Sequence, residues 1–176
     1  MSDRVAPTGN RSLKLKVISP RFWPFMGTDE HAVADLADAI ADIGVQVEVL
    51  TAGWDKKAPA TFDFHNFSVQ RFFRSSTNPF GSYRYQNNLR RYLNKDLPDG
   101  VFFLGAGVEF QQLIGEFHGT FTIVLQLQDC ELEAADGSSQ KRRFVSNLKL
   151  VDRVLVETKP TADRLKKLGV NSKNQL

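Results

Sequence analysis

Apolar residues along this chain fall into two rhythms. Short runs of four to eight alternate with stretches in which apolar positions recur every three or four residues. The first run, residues 13–19 (LKLKVIS), reads as a strand and ends at Pro20. Residues 21–26 carry three aromatics and a second proline and read as a loop. From Thr28 to Ile43 the apolar positions are Val33, Leu36, Ala37, Ile40 and Ile43, the spacing of a helix with one buried side. Asp35, Asp38 and Asp42 fall largely on its other side. Gly44 suits the C-terminal stop, and residues 45–51 form a second strand. This is one βαβ unit. Its first turn lies at the C-terminal edge of the first strand, where open parallel sheets bind ligands.

The same alternation continues. Residues 52–64, with glycine, proline and several charges, read as a loop, followed by a strand at 67–73 and a turn-rich stretch at 74–81. A polar helix at 82–94 buries Tyr85, Leu89 and either Tyr92 or Leu93. Asp99-Gly100 introduces a strand at 101–104, and Gly105-Ala106-Gly107 turns into a helix at 108–117. Residues 120–127 form a strand apolar on both faces, as central parallel strands are. A long acidic-then-polar loop (128–140) precedes a helix at 141–150 and a short strand at 153–156. Pro160 sits near the start of a last helix that reaches Leu168 and is capped by Gly169. The fold class is therefore α/β, a Rossmann-like three-layer α/β/α arrangement with a mainly parallel sheet. Residues 1–12 are a polar, flexible leader, and 13–176 a single domain.

Composition narrows the function classes. At 176 residues the chain fits about one domain. The net charge of +3 comes from bases spread through the sequence, not from one basic run, which argues against a nucleic-acid partner. Cys130 is the lone cysteine, so no internal disulfide framework is possible and a reducing compartment is favoured. No apolar run reaches the ~18 residues of a membrane span. His31, His65 and His118 lie far apart with no ligand-type spacing, and no zinc pattern surrounds Cys130. A dinucleotide fingerprint would need G-x-G-x-x-G directly after the first strand, where Gly27 stands alone.

Residues 19–51 resemble the nucleotide-sugar glycosyltransferases of the GT-B fold, in their retaining, glycogen-synthase-like branch. The register is carried by Ser19, Pro20, Pro24, Gly27, Glu30, Leu36, Ala37, Ala39, Ile40, Gly44, Val47, Val49, Leu50 and Thr51. Further on, residues 151–154 together with Leu165, Leu168, Gly169 and Val170 match the end of that family's first domain. The resemblance implies an N-terminal, acceptor-side domain, with the donor-binding C-terminal domain lying outside this chain. It implies sugar transfer from a nucleotide-sugar donor to a sugar or lipid-linked acceptor without a metal or other cofactor, the leaving diphosphate being held by helix dipoles and basic side chains. This fragment alone is expected to be inactive. A cytoplasmic location follows, or a peripheral one at the inner face of the membrane.

Candidate site residues cluster after three strands. Gly27 and Thr28 open the first helix, where free N–H groups and the dipole favour a phosphate. The resemblance assigns this loop to the donor diphosphate; a plain tight turn is the other reading. Thr28 replaces the family's second glycine, and Asp29 and Glu30 suit the dipole but repel an anion. Gly105 follows the fourth strand, where many relatives show a histidine. Gln128 occupies the family's histidine position, Asp129 keeps its place, and glutamine carries no proton charge near neutral pH. The missing histidines favour a second reading, a catalytically inactive module that binds a glycan or a protein. A sugar-nucleotide epimerase of the same architecture is a weaker third. Segments 24–28, 105–107 and 128–131 are expected at one open edge of the sheet.

Overall fold

The computed structural model describes residues 12–170, apart from residues 25, 54, 56, 75–79, 106, 129–130 and 133–140. Its strands are β1 (Lys14–Ser19), β2 (Gln46–Gly53), β3 (Thr61–Phe64), β4 (Phe67–Phe73), β5 (Gly100–Leu104), β6 (Thr122–Leu127) and β7 (Arg153–Val156). Its helices are α1 (Thr28–Asp42), α2 (Gly81–Lys95), α3 (Val108–Phe117), α4 (Lys141–Leu148) and α5 (Lys159–Lys167). The strands form one sheet in the order β3-β4-β2-β1-β5-β6-β7. Every pairing is parallel except β3 with β4, which is antiparallel at the edge.

Alternation along the central strands builds two cores. Ile18, Val101 and Phe103 face one way and pack with Tyr85, Leu89 and Leu93 of α2, Leu113 of α3, Leu148 of α4 and Leu165 of α5. Val17, Phe102 and Leu104 face the other way and pack with Val33, Ala34 and Ala37 of α1. The sheet is thus sandwiched between α1 on one face and α2 to α5 on the other. Leu36 and Ile40 support the smaller core from its margin.

Two details differ from the sequence reading. Residues 61–64 are not loop: they form β3, whose Phe62 and Phe64 pack against the α1-side core. Ile43, assigned to the buried side of α1, is 78% exposed. It is the C-cap residue, and the backbone leaves the helical path there, so helical spacing no longer places its side chain. The long polar helix α2 buries Tyr85, Leu89 and Leu93, while Tyr92 is half-buried. Tyr92 donates to Glu48 at 2.6 Å, and its ring lies 4.4 Å from the Lys16 ammonium. Burial, and then Glu48, raise the Tyr92 pKa.

Candidate functional site

The strand order decides where a crevice opens. The chain runs from β1 outward to β2 and β4, then returns past β1 to β5 and continues the other way. The topological switch point therefore lies between β1 and β5, and in open parallel sheets ligands bind just beyond the carboxyl ends of such strands. A hollow of about 130 Å³ occupies this place, lined by Ser19, Arg21, Glu30, Gly105, Gln128 and Glu131. A hollow of about 500 Å³ lies at the opposite edge, beside Gln46, Asn66 and Ser68.

Each residue around the crevice arrives by a local rule. Gly105 has φ +85, a conformation that glycine adopts freely and that lets the chain turn sharply out of β5. A side chain there would also meet Glu131, whose Oε1 would lie 3.1 Å from an added Cβ. Glu131 accepts from the Gln128 backbone N–H at 3.2 Å. The Gln128 amide donates to Asp29 Oδ2 at 2.9 Å, tying the end of β6 to the first turn of α1 across the crevice mouth.

Gly27 needs no unusual backbone; its φ is −99. Its constraint is space: an added Cβ would lie 2.8 Å from Glu30 Oε2. That oxygen accepts from the Gly27 N–H at 2.8 Å, half of a capping box, since glycine has no side chain to reciprocate. Glu30 is buried despite its charge, and Arg21 Nε approaches it at 3.6 Å. Glu30 is thus turned inward onto the turn. An anion arriving here meets the first-turn N–H groups of Thr28 and Asp29, which have no partner within the helix, while the Gly27 N–H is already engaged.

The structure therefore brings Gly27, Thr28, Glu30, Gly105 and Gln128 to one edge. Asp129 lies outside the described residues. Among the described residues, three carboxylates, Asp29, Glu30 and Glu131, stand at this crevice beside one guanidinium, Arg21. Pro24 belongs to a neighbouring hollow of about 120 Å³ on the same edge, beside Trp23, Ala52, Asp55 and Arg71. Sequence reasoning placed Arg71 only among scattered bases. It is buried, donates to the backbone carbonyls of Pro59 (3.1 Å) and Trp23, and lies over the Phe62 ring at 4.3 Å. Burial lowers its pKa from the ordinary guanidinium value. An arginine on an inward-facing position of a strand was the available signal.

No family model matches the sequence. No curated protein matches it either. Solved structures do match the fold. Sucrose-phosphate synthase from Thermosynechococcus elongatus superposes with a TM-score of 0.64 at 16% identity, over 88% of this chain and 45% of that one. The fold is that of a GT-B glycosyltransferase domain. Trehalose-6-phosphate synthase from E. coli, bound with UDP-2-fluoro glucose, gives 0.61 at 16% identity, over 89% of this chain and 42% of that one. WaaG, a glycosyltransferase involved in lipopolysaccharide biosynthesis, gives 0.59 at 15% identity, over 92% and 44%. The GT-B-like domain described here thus spans under half the length of each of these three proteins.

Proposed function

We propose that this domain is the acceptor-side half of a sugar transferase that uses a nucleotide-sugar donor. The observation that carries the reading is the crevice at the β1/β5 switch point, with the α1 N-terminus on one side and the Gly105 and Gln128 turns on the other. Fold neighbours that are glycosyltransferases support it, one of them bound with a UDP-sugar analogue. The chemistry of the crevice fits sugar hydroxyls better than phosphate. Carboxylates and an amide accept and donate hydrogen bonds to hydroxyl groups, whereas one arginine beside three carboxylates leaves a diphosphate poorly neutralised. The cations that stabilise the leaving diphosphate then belong to a second domain, and the transfer runs without a metal. The acceptor is a sugar or lipid-linked sugar held on the present side of the cleft, and the retaining course follows the sequence resemblance.

A specific feature favours the second reading, an inactive binding module. Gln128 stands where a proton-carrying histidine is expected and is already bonded to Asp29. The two are separated by one experiment. Amide chemical shifts of the isolated chain are followed during titration with UDP-glucose, with no turnover expected. Shifts at Thr28, Asp29, Gly105 and Gln128 with millimolar affinity support the transferase half, because the crevice then reaches the hydroxyls of the donor's sugar while the α1 dipole adds only about 0.3–1 kcal/mol toward its diphosphate. Unchanged shifts at those four residues overturn donor contact here and leave the module reading.

A further inference from the structure

A row of polar side chains crosses the sheet beneath α2, where an apolar face is required. Lys16 of β1, Glu48 of β2 and Ser68 of β4 stand in direct register on adjacent strands and line one hollow. The next row on that side opens with Ile18 and Leu50, both fully buried in the α2-side core. The hollow measures about 240 Å³ and is completed by Lys14, Gln46, Tyr92 and Asp96. It lies at the amino ends of the strands, the opposite end from the crevice. Lys16 is buried, its side chain 2% exposed. Its ammonium approaches Glu48 Oε2 at 3.4 Å and Asp96 Oδ2 at 3.3 Å, beyond the about 2.7–2.9 Å of a charge-assisted hydrogen bond. Among the described residues its Nζ has no hydrogen-bond partner. A buried ammonium without hydrogen bonds carries a desolvation cost that its ion pairs alone offset poorly.

We infer that this hollow binds a small neutral molecule with adjacent hydroxyl groups, a sugar ring or an open-chain polyol. Charge decides among the ligand chemistries. Lys14 and Lys16 stand against Glu48 and Asp96, so these four groups carry no net charge. An anion that reached Lys16 would come against two carboxylates held within 3.4 Å of the same nitrogen, in a place partly withdrawn from water. A cation drawn to Glu48 or Asp96 would meet the two ammoniums in the same way, and a zwitterion would meet both difficulties. A hydroxyl meets neither, because it accepts and donates at once. One hydroxyl can accept from Lys16 and donate to Glu48 Oε2, whose partner oxygen Oε1 is already taken by Tyr92 at 2.6 Å. Further hydroxyls on the same skeleton can reach Asp96 and Ser68. Size agrees: a single water accounts for only about 30 Å³. The inference does not rest on sugar transfer, since the crevice lies at the other end of the strands.

The test follows amide chemical shifts of the chain during titration with D-glucose and D-sorbitol, with glycine and sodium sulfate as charged probes. Saturating shifts at Lys16, Glu48, Ser68 and Tyr92, with millimolar dissociation constants, are expected from the neutral probes. Tighter binding of glucose identifies a ring site, and tighter binding of sorbitol an open-chain one; either sustains the inference. Lys16→Met keeps an extended side chain without the charge and should weaken binding about tenfold or more, the worth of a hydrogen bond to a charged group. That variant also unbalances Glu48, so a second one leaves the charges in place. Ser68→Leu fills the hollow and should abolish the shifts while the rest of the amide spectrum stays as in the wild type. Unchanged binding by Ser68→Leu overturns the inference, as does an equal response to glycine or sulfate. Silence at the four residues with both neutral probes also overturns it, even if Thr28, Asp29, Gly105 and Gln128 respond, because those report the crevice.

Discussion

Glu30 shows how one side chain sets what the α1 turn offers. From sequence it reads as a carboxylate that suits the helix dipole and repels an anion; its spacing from Gly27 is also that of a capping residue. The structure realises the second property, with the carboxylate folded onto the Gly27 N–H. Its loss should cost about 1 kcal/mol, the usual worth of a helix cap. Urea denaturation should give that figure for Glu30→Ala and less for Glu30→Gln, which keeps an acceptor. Gly27→Ala should cost a similar amount, because the new Cβ displaces the same oxygen. The double variant should then be clearly less destabilised than the sum of the two; additive effects would mean that the contact is not shared. At the other end of β1, Asp96 is held below the usual carboxylate range, first by the Lys14 hydrogen bond and then by Lys16 against the effect of burial. A depressed folded-state pKa adds stability above the unfolded value, about 3.9, and loses it as pH falls through the folded value. The Asp96 side chain is half exposed, so screening keeps the gain under about 1 kcal/mol. Asp96→Asn should therefore lag the wild type near neutral pH and converge on it below about pH 4 in the same denaturation assay.

At the level of elements, the sequence showed most of the sheet because its strands and helices carry unmixed periods. The helix α1 and the strands around it are legible from Val33, Ala37, Val47 and Val49 alone. Edge strand β3 escaped because proline, glycine and charges precede it and its four residues bury only Phe62 and Phe64, partly. The signal was nonetheless present: alternating Thr61–Phe64, a His65-Asn66 turn, then Phe67. The turn is fastened to α1, His65 Nδ1 lying 2.6 Å from Asp38 and the Asn66 amide donating to Asp42 at 2.8 Å. Such long-range contacts are invisible to periodicity. So is the hold that Arg71 exerts on three segments at once: the Trp23 loop, the Pro59 loop and the Phe62 ring. Hydrogen bonds from a charged donor contribute about 1.5–3 kcal/mol. Arg71→Met should destabilise by about that much and raise amide exchange in β3 and around Pro59, while α2 and α3 keep their protection. Uniform loss of protection across the sheet would contradict a local clamp.

For the whole molecule, charge is separated between the two helical layers, with a consequence that does not depend on any ligand. A face rich in Asp35, Asp38 and Asp42 and an opposite face rich in Arg84, Arg91 and Lys95 are complementary to each other, but they cannot meet within one copy. Two copies can meet head to tail. Such a contact does not close on itself and leaves both outer faces free for further copies. It would be weak, because exposed charges interact through high dielectric and each pair contributes under about 1 kcal/mol. It would also be short-ranged at physiological salt, where the Debye length is about 8 Å, and much longer-ranged near 0.01 M, where it is about 30 Å. Net charge alone predicts the reverse: a chain at +3 should repel itself more as salt is removed. The two forces therefore give opposite signs in one measurement. Light scattering of the isolated chain should show a second virial coefficient that becomes more negative as salt is lowered. Reversing part of one face, with Arg84→Glu and Arg91→Glu, should turn it positive at low salt. A wild-type coefficient that rises as salt is lowered would show that net charge, not its arrangement between the layers, governs how copies of this domain meet.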